Sequence, residues 1–156
     1  MTATLTQATC DTFEIKKTID IAAPIAIAFE ALLDEMGPEA QRGDDGSPMP
    51  FKLEAWPGGR WFRDLGNNTG HLWGHVQVIK PPTLLEICGP MMMSYPSANH
   101  LQYRLTAEGS GTKLAFQHRA MGLILPEHRE GMPKGWAIWV DRIRQRAEKL
   151  ATQKKK

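Results

Sequence analysis

The sequence predicts an α+β domain in which a strongly curved antiparallel β-sheet wraps around a long C-terminal α-helix. Three observations carry that expectation. Trp136, Val140, Ile143, Ala147 and Leu150 recur at helical spacing and form one apolar stripe, while Asp141, Arg142, Arg144, Arg146 and Lys149 take the other side. Nearly everything before this segment reads as short strands punctuated by Gly, Pro and Asn turns. A sheet of that size with one apolar face must curl and be covered, and the last helix is the cover at hand.

Residues 1 to 12 are polar and read as a flexible N-terminal segment, residues 13 to 151 as a single domain, and 152 to 156 as a basic tail. Phe13 to Ile21 alternates and predicts a first strand, with Lys17 as a blemish on its apolar side. Ala22-Ala23-Pro24 ends that strand and opens a short helix, in which Ile25, Phe29, Leu32, Leu33 and Met36 share a face up to Gly37-Pro38. Residues 37 to 50 are rich in Gly, Pro, Asp and Ser and predict a loop, a surface excursion or else a lid over a pocket.

A meander follows. Phe51 to Trp56, Arg60 to Leu65, Thr69 to Ile79 and Leu84 to Cys88 are strands between turns at Pro57-Gly58-Gly59, Gly66-Asn67-Asn68 and Pro81-Pro82. A final hairpin pairs about Asn99–Ala107 with Thr112–Ala120, Leu101, Tyr103 and Leu105 facing Leu114, Phe116 and His118. Met121 to Arg129 reads as a connector, and Pro133 with Gly135 marks the entry to the long helix. Periodicity leaves two readings of the third meander strand: His71, Trp73 and His75 inward, or Leu72, Gly74, Val76 and Val78 inward.

Bulk properties exclude several function classes. A formal charge of +2 is too mild for a nucleic-acid binder, and much of the excess sits in Lys154-Lys155-Lys156. No apolar run approaches the ~18 residues of a membrane span, and the N-terminus lacks the pattern of a signal peptide. Two cysteines, Cys10 and Cys88, make no disulfide framework, so the expected location is cytoplasmic, as a monomer or a homodimer. Five tryptophans and eight methionines are a large supply of bulky, adaptable side chains for one small domain.

The order of elements, with several local sequences, resembles the START-like or SRPBCC superfamily, the helix-grip fold, and within it the activator-of-heat-shock-protein-ATPase homologue (AHSA-type) group. The resembling stretches are Ile19-Asp20-Ile21-Ala22-Ala23-Pro24, Pro57-Gly58-Gly59-Arg60-Trp61, Gly74-His75-Val76-Gln77-Val78-Ile79-Lys80-Pro81-Pro82 with Leu84-Leu85, Gly109-Ser110-Gly111-Thr112 with Leu114, and Gly135-Trp136 ahead of Val140 and Ile143. They span roughly residues 13 to 150. The resemblance implies a fold and an apolar cavity, in a superfamily of lipid and hormone carriers, polyketide cyclases and co-chaperones, with no shared catalytic motif to carry over. The Met-rich loop Met91 to Pro96 and Trp73 before Gly74 depart from the commoner pattern.

Metal chemistry is not expected. His71 and His75 lie four apart on a strand, about 13 Å between backbones, and no HExxH motif or CxxC pair exists. No cofactor is expected either. Cys88 reads as a small buried hydrophobe, and no serine sits in a nucleophile elbow. Of His100, His118, Glu54 and Asp64, only His118 falls on an inward strand face, which makes it the single weak catalytic candidate.

What remains is an apolar cavity beneath the last helix. The expected ligand-binding residues are Trp56, Trp61, Met91, Tyr103, Phe116, His118, Trp136 and Trp139, with Tyr103 and His118 supplying orienting hydrogen bonds. The expected function is the binding of a small apolar or amphipathic molecule, a lipid among the candidates. Two alternatives accompany it: a co-chaperone-like domain docking a protein partner through an exposed Met91-Met92-Met93 patch, and a cyclase- or hydratase-type enzyme using His118 with Tyr103.

Overall fold

The first alternating run is realised as strand β1, Asp11–Ile21, two residues longer at its start than the pattern predicts. Its partner is the last strand of the chain, and Lys17 lies opposite Phe116 on the inner face, where the edge position keeps it exposed. The computed structural model describes residues 1–155. Pro24 caps helix α1, Ile25–Met36, which buries Ala28, Phe29, Ala31, Leu32, Glu35 and Met36. The meander supplies β2 (Lys52–Leu53), β3 (Arg60–Gly66), β4 (Thr69–Lys80), β5 (Leu84–Gly89), β6 (Ser97–Glu108) and β7 (Gly111–Gly122). Of the expected strand Phe51 to Trp56, only two residues pair.

All neighbours are antiparallel, in the order β1-β7-β6-β5-β4-β3-β2. The β3–β4 turn is a two-residue loop with Asn67 and Asn68 at φ 52° and 57°, the left-handed pair that matches strand twist and that asparagine tolerates. On the inner face of the last hairpin, Leu101, Tyr103, Leu105, Leu114, Phe116 and His118 are all buried, as the alternation predicts.

Strand β4 follows neither predicted reading. Trp61 pairs with Gly74 and Phe62 with Leu72, so the ladder skips Trp73, which sits in a bulge and is buried. Leu72 stays 45% exposed, and His71 and His75 face outward. Behind the bulge, β4 and β5 pass very closely: a Cβ on Gly89 would lie 2.3 Å from the Gly74 Cα.

The long helix differs most from expectation. α2 spans Pro126–Lys154, so the predicted connector Met121 to Arg129 is strand end, short turn and first helical turn. Pro126 supplies the start, because a proline in the first turn forfeits no intrahelical bond. Pro133 is an interior residue whose missing N–H leaves one carbonyl a turn earlier without its partner. The helix also outlasts the expected exit, with Thr152 to Lys154 in its last turn, and Lys156 of the expected basic tail lies outside the described residues. Met132, Trp136, Val140, Ile143, Ala147 and Ala151 are its buried stripe, Ala151 taking the place expected for the half-buried Leu150. No helix among the described residues is long and apolar enough to cross a membrane.

Polar ties fix α1 and the loop after it to α2. Trp139 Nε1 donates to the Glu35 carbonyl at 2.9 Å, Arg142 to the Gln41 carbonyl at 3.0 Å, and Arg146 to the Glu35 carboxylate at 2.7 Å. The middle of the helix therefore holds α1 and, through Arg142, the loop that follows it.

Candidate functional site

Under α2 the aromatic side chains form a continuous row. Tyr103 packs on Phe116 at 4.9 Å between ring centroids, Phe116 on Trp136 at 4.6 Å, Trp136 on Trp139 at 5.4 Å, and Phe51, Trp61 and Trp73 complete the cluster. Apart from the Trp73 indole N–H, their polar atoms are matched by specific acceptors, as burial requires. Trp61 Nε1 donates to the Met36 carbonyl at 2.6 Å, and Tyr103 Oη donates to Met36 Sδ at 3.1 Å. Burial raises the Tyr103 pKa well above 10, so its hydroxyl keeps its proton.

His118 is held by two partners that fix its tautomer. Trp136 Nε1 is only a donor, and it donates to His118 Nδ1 at 2.9 Å. The proton therefore sits on His118 Nε2, which donates to Asn99 Oδ1 at 2.8 Å. Burial, with the charge of His100 second, lowers the His118 pKa from 6.5 to about 4. Between those values the unfolded chain takes up a proton that the folded chain does not, so stability falls as pH drops through that window. The loss reaches about 3 kcal/mol. Urea denaturation between pH 7 and 4 will show a steeper acid loss for the wild type than for His118→Gln; equal slopes would contradict a neutral His118.

The room left by the curved sheet lies at the N-terminal end of α2. A cleft of about 360 Å³ opens there between α2, the loop after α1 and the β5–β6 loop. Met132, Trp136 and Trp139 line it from the helix, Trp73, Met91 and Met92 from the sheet side, and Met49 from the loop. Arg42, Asp44 and Glu127, all exposed, give it a polar rim beside His128. Tyr95 anchors that rim: its hydroxyl accepts from the Leu125 N–H at 3.3 Å and shares a hydrogen bond with His128 Nδ1 at 2.6 Å, and the two rings stack.

Several features that cost stability meet at this cleft. Gly131 and Gly135 stand four apart on α2 and line it, although glycine inside a helix costs roughly 0.5–1 kcal/mol against alanine. Neither is required by packing, because a Cβ at either would meet nothing within 4 Å. Met91 holds a left-handed backbone at φ 58°, which a residue with a side chain rarely adopts. The Trp73 indole N–H is buried without an acceptor. Departures from local stability rules concentrate at functional places.

No family model and no curated protein matches this chain. Its fold does match solved structures. An uncharacterised protein from Rhizobium leguminosarum superposes with a TM-score of 0.68 at 20% identity, covering 92% of this chain and 99% of that one. CalU16 from Micromonospora echinospora gives 0.60 at 19%, covering 89% and 81%. The di-domain ARO/CYC protein StfQ from the steffimycin biosynthetic pathway gives 0.62 at 11%, covering 90% and 52%. These likenesses show architecture alone. The chain has the helix-grip fold.

The helix-grip frame divides the eight expected ligand-binding residues into three groups. Met91, Trp136 and Trp139 line the cleft. Trp61, Tyr103, Phe116 and His118 are brought together beneath it but are completely or almost completely buried, filling the core. Trp56 is placed apart, 58% exposed before the β3 strand, because the chain leaves the sheet after Leu53. As a catalytic base His118 has neither ring nitrogen free, one accepting from Trp136 and the other donating to Asn99.

The expectation also missed residues that line the cleft: Arg42, Gly43, Asp44, Met49, Trp73, Met92, Glu127, His128, Gly131, Met132 and Gly135. Two signals for them were present. Met132 is four before Trp136, and Gly131 is four before Gly135, so both rows extend the helical register upstream of Pro133.

Other candidates contribute little. Of the Met91-Met92-Met93 patch, Met91 and Met93 are buried and only Met92 is exposed, at 38%. Burial raises the Cys88 pKa, keeping it a thiol, and its Sγ donates to Gln77 Oε1 at 2.6 Å. Among the described residues no group of three His, Cys, Asp or Glu side chains is placed to hold a metal. A depression of about 500 Å³ crosses the ends of β5, β6 and β7 near Cys88, His100 and Met121, but no tryptophan reaches it.

Proposed function

We propose that the protein binds a small apolar or amphipathic molecule in the cleft beside the first turns of α2, as a single START-like domain of about residues 13–151 in the cytoplasm. The observation that carries this reading is the composition of the cleft: methionines and tryptophans on its walls, charged groups only at the rim. Ligand pockets are mostly apolar with few polar groups, in a range of roughly 300–1,000 Å³. Methionine side chains repack around different shapes. The fold shared with StfQ, from a biosynthetic pathway, supports a small organic ligand over a protein partner.

A carrier or binding role is favoured over catalysis. His118, the buried histidine beneath the cleft, has both nitrogens engaged, and Tyr103 lies fully buried with its hydroxyl on Met36. The co-chaperone-like alternative loses most of its apolar patch with the burial of Met91 and Met93. The neutral probe N-phenyl-1-naphthylamine will bind with saturable enhancement of its emission and energy transfer from tryptophan. Absence of saturable binding by this and other apolar probes would end the proposal.

A further inference from the structure

We infer that the cleft is shaped for a planar, ring-containing molecule that carries an oxygen acceptor. This inference rests on the cleft being the binding site and specifies the ligand's shape and polarity. The first support is the glycine pair on α2. Gly131 and Gly135 leave a strip of bare helix backbone in the cleft wall, beside the row formed by Met132 and Trp136. Glycine in a helix is usually explained by a close neighbour, and no neighbour occupies the Cβ direction of either residue. Gly43 approaches Gly135, its own Cβ direction falling 3.7 Å from the Gly135 Cα, so the loop backbone borders the strip at Gly135 while Gly131 stays exposed. A flat face is what a flat ring system can lie against at van der Waals distance, with the Trp136 and Trp139 rings beside it.

The second support is polar. Trp61, Trp136 and Trp139 each donate their indole N–H to a named acceptor, and Trp73 does not. Trp73 is 94% buried by its 6% exposure, and it is turned into the cleft wall by the β4 bulge rather than by strand alternation. A carbonyl or phenol oxygen on the ligand would satisfy this donor, and the unbranched Met91 and Met92 beside it are able to move aside. The size of the cleft, about 360 Å³, suits a bicyclic or tricyclic skeleton.

The test is calorimetric titration with 2-naphthol, naphthalene and decahydro-2-naphthol, which separate planarity from the oxygen. The wild type should prefer 2-naphthol over the puckered decahydro-2-naphthol by roughly tenfold. It should prefer 2-naphthol over naphthalene by roughly two- to tenfold, the yield of one hydrogen bond. Trp73→Phe should erase the second preference and leave naphthalene unchanged. Gly131→Ala and Gly135→Ala should raise the melting temperature, by about 2–4 °C each, yet weaken 2-naphthol several-fold. Greater stability with poorer binding is an outcome that a merely structural glycine would not give. Equal binding of all three probes would overturn this inference and leave the binding site standing; equal binding of 2-naphthol and decahydro-2-naphthol would remove the flat face; a Trp73→Phe protein that still prefers 2-naphthol over naphthalene would remove the oxygen contact. Binding of none would remove site and inference together.

Discussion

Trp136→Ala is expected to bring the protein to the edge of unfolding. Trp136 is only 4% exposed, packs between Phe116 and Trp139, and is the sole donor to His118 Nδ1. Truncating a buried aromatic ring costs about 3–5 kcal/mol, and an orphaned buried nitrogen adds about 1–3 kcal/mol. Against a total stability of roughly 5–15 kcal/mol, that is a large part of the whole. Trp136→Phe separates the two causes. It keeps a ring and removes the N–H, so it should cost less than Trp136→Ala; His118 stays buried, so the acid loss between pH 6.5 and 4 should persist. Urea denaturation at pH 7 and pH 5 measures both effects. A Trp136→Ala protein as stable as the wild type would show that the helix is not held through this residue.

Gly131→Phe is expected to abolish probe binding and leave the fold intact. The position is exposed, has open space where a side chain would start, and lines the cleft. Phenylalanine is a better helix former than glycine, so folding should not suffer. Its ring would occupy the space a ligand needs, weakening N-phenyl-1-naphthylamine by about a hundredfold, which corresponds to about 2.7 kcal/mol. Titration of the probe beside a thermal melt checks both halves. An unaltered affinity in a folded variant would place the bound probe elsewhere.

Much of the fold was legible because its elements are locally consistent. Pro24 opened α1, the alternation from Leu101 to His118 marked the inner face, and the Trp136–Val140–Ile143–Ala147 stripe marked the gripped helix. The sequence misled where tertiary contacts override local preference. Pro133 and Gly135 read as a helix boundary because each disfavours a helix, yet α2 runs through both, anchored by Trp136 and Val140 downstream and started by Pro126 upstream. Trp73 could not be assigned a face because a bulge breaks the two-residue period. The aromatic inventory was right in kind, but which rings fill the core and which border the cleft depends on how the sheet curls, and no spacing records that.

The cleft itself is the central claim, and methionine methyl resonances report on it directly. Met49, Met91, Met92 and Met132 line it, while Met121 borders the depression at the far strand ends. In a protein labelled at the methionine methyls, added N-phenyl-1-naphthylamine is predicted to shift the signals of Met49, Met91, Met92 and Met132 together and to leave Met121 in place. Shifts confined to Met121, or no shifts at saturating probe, would contradict the account.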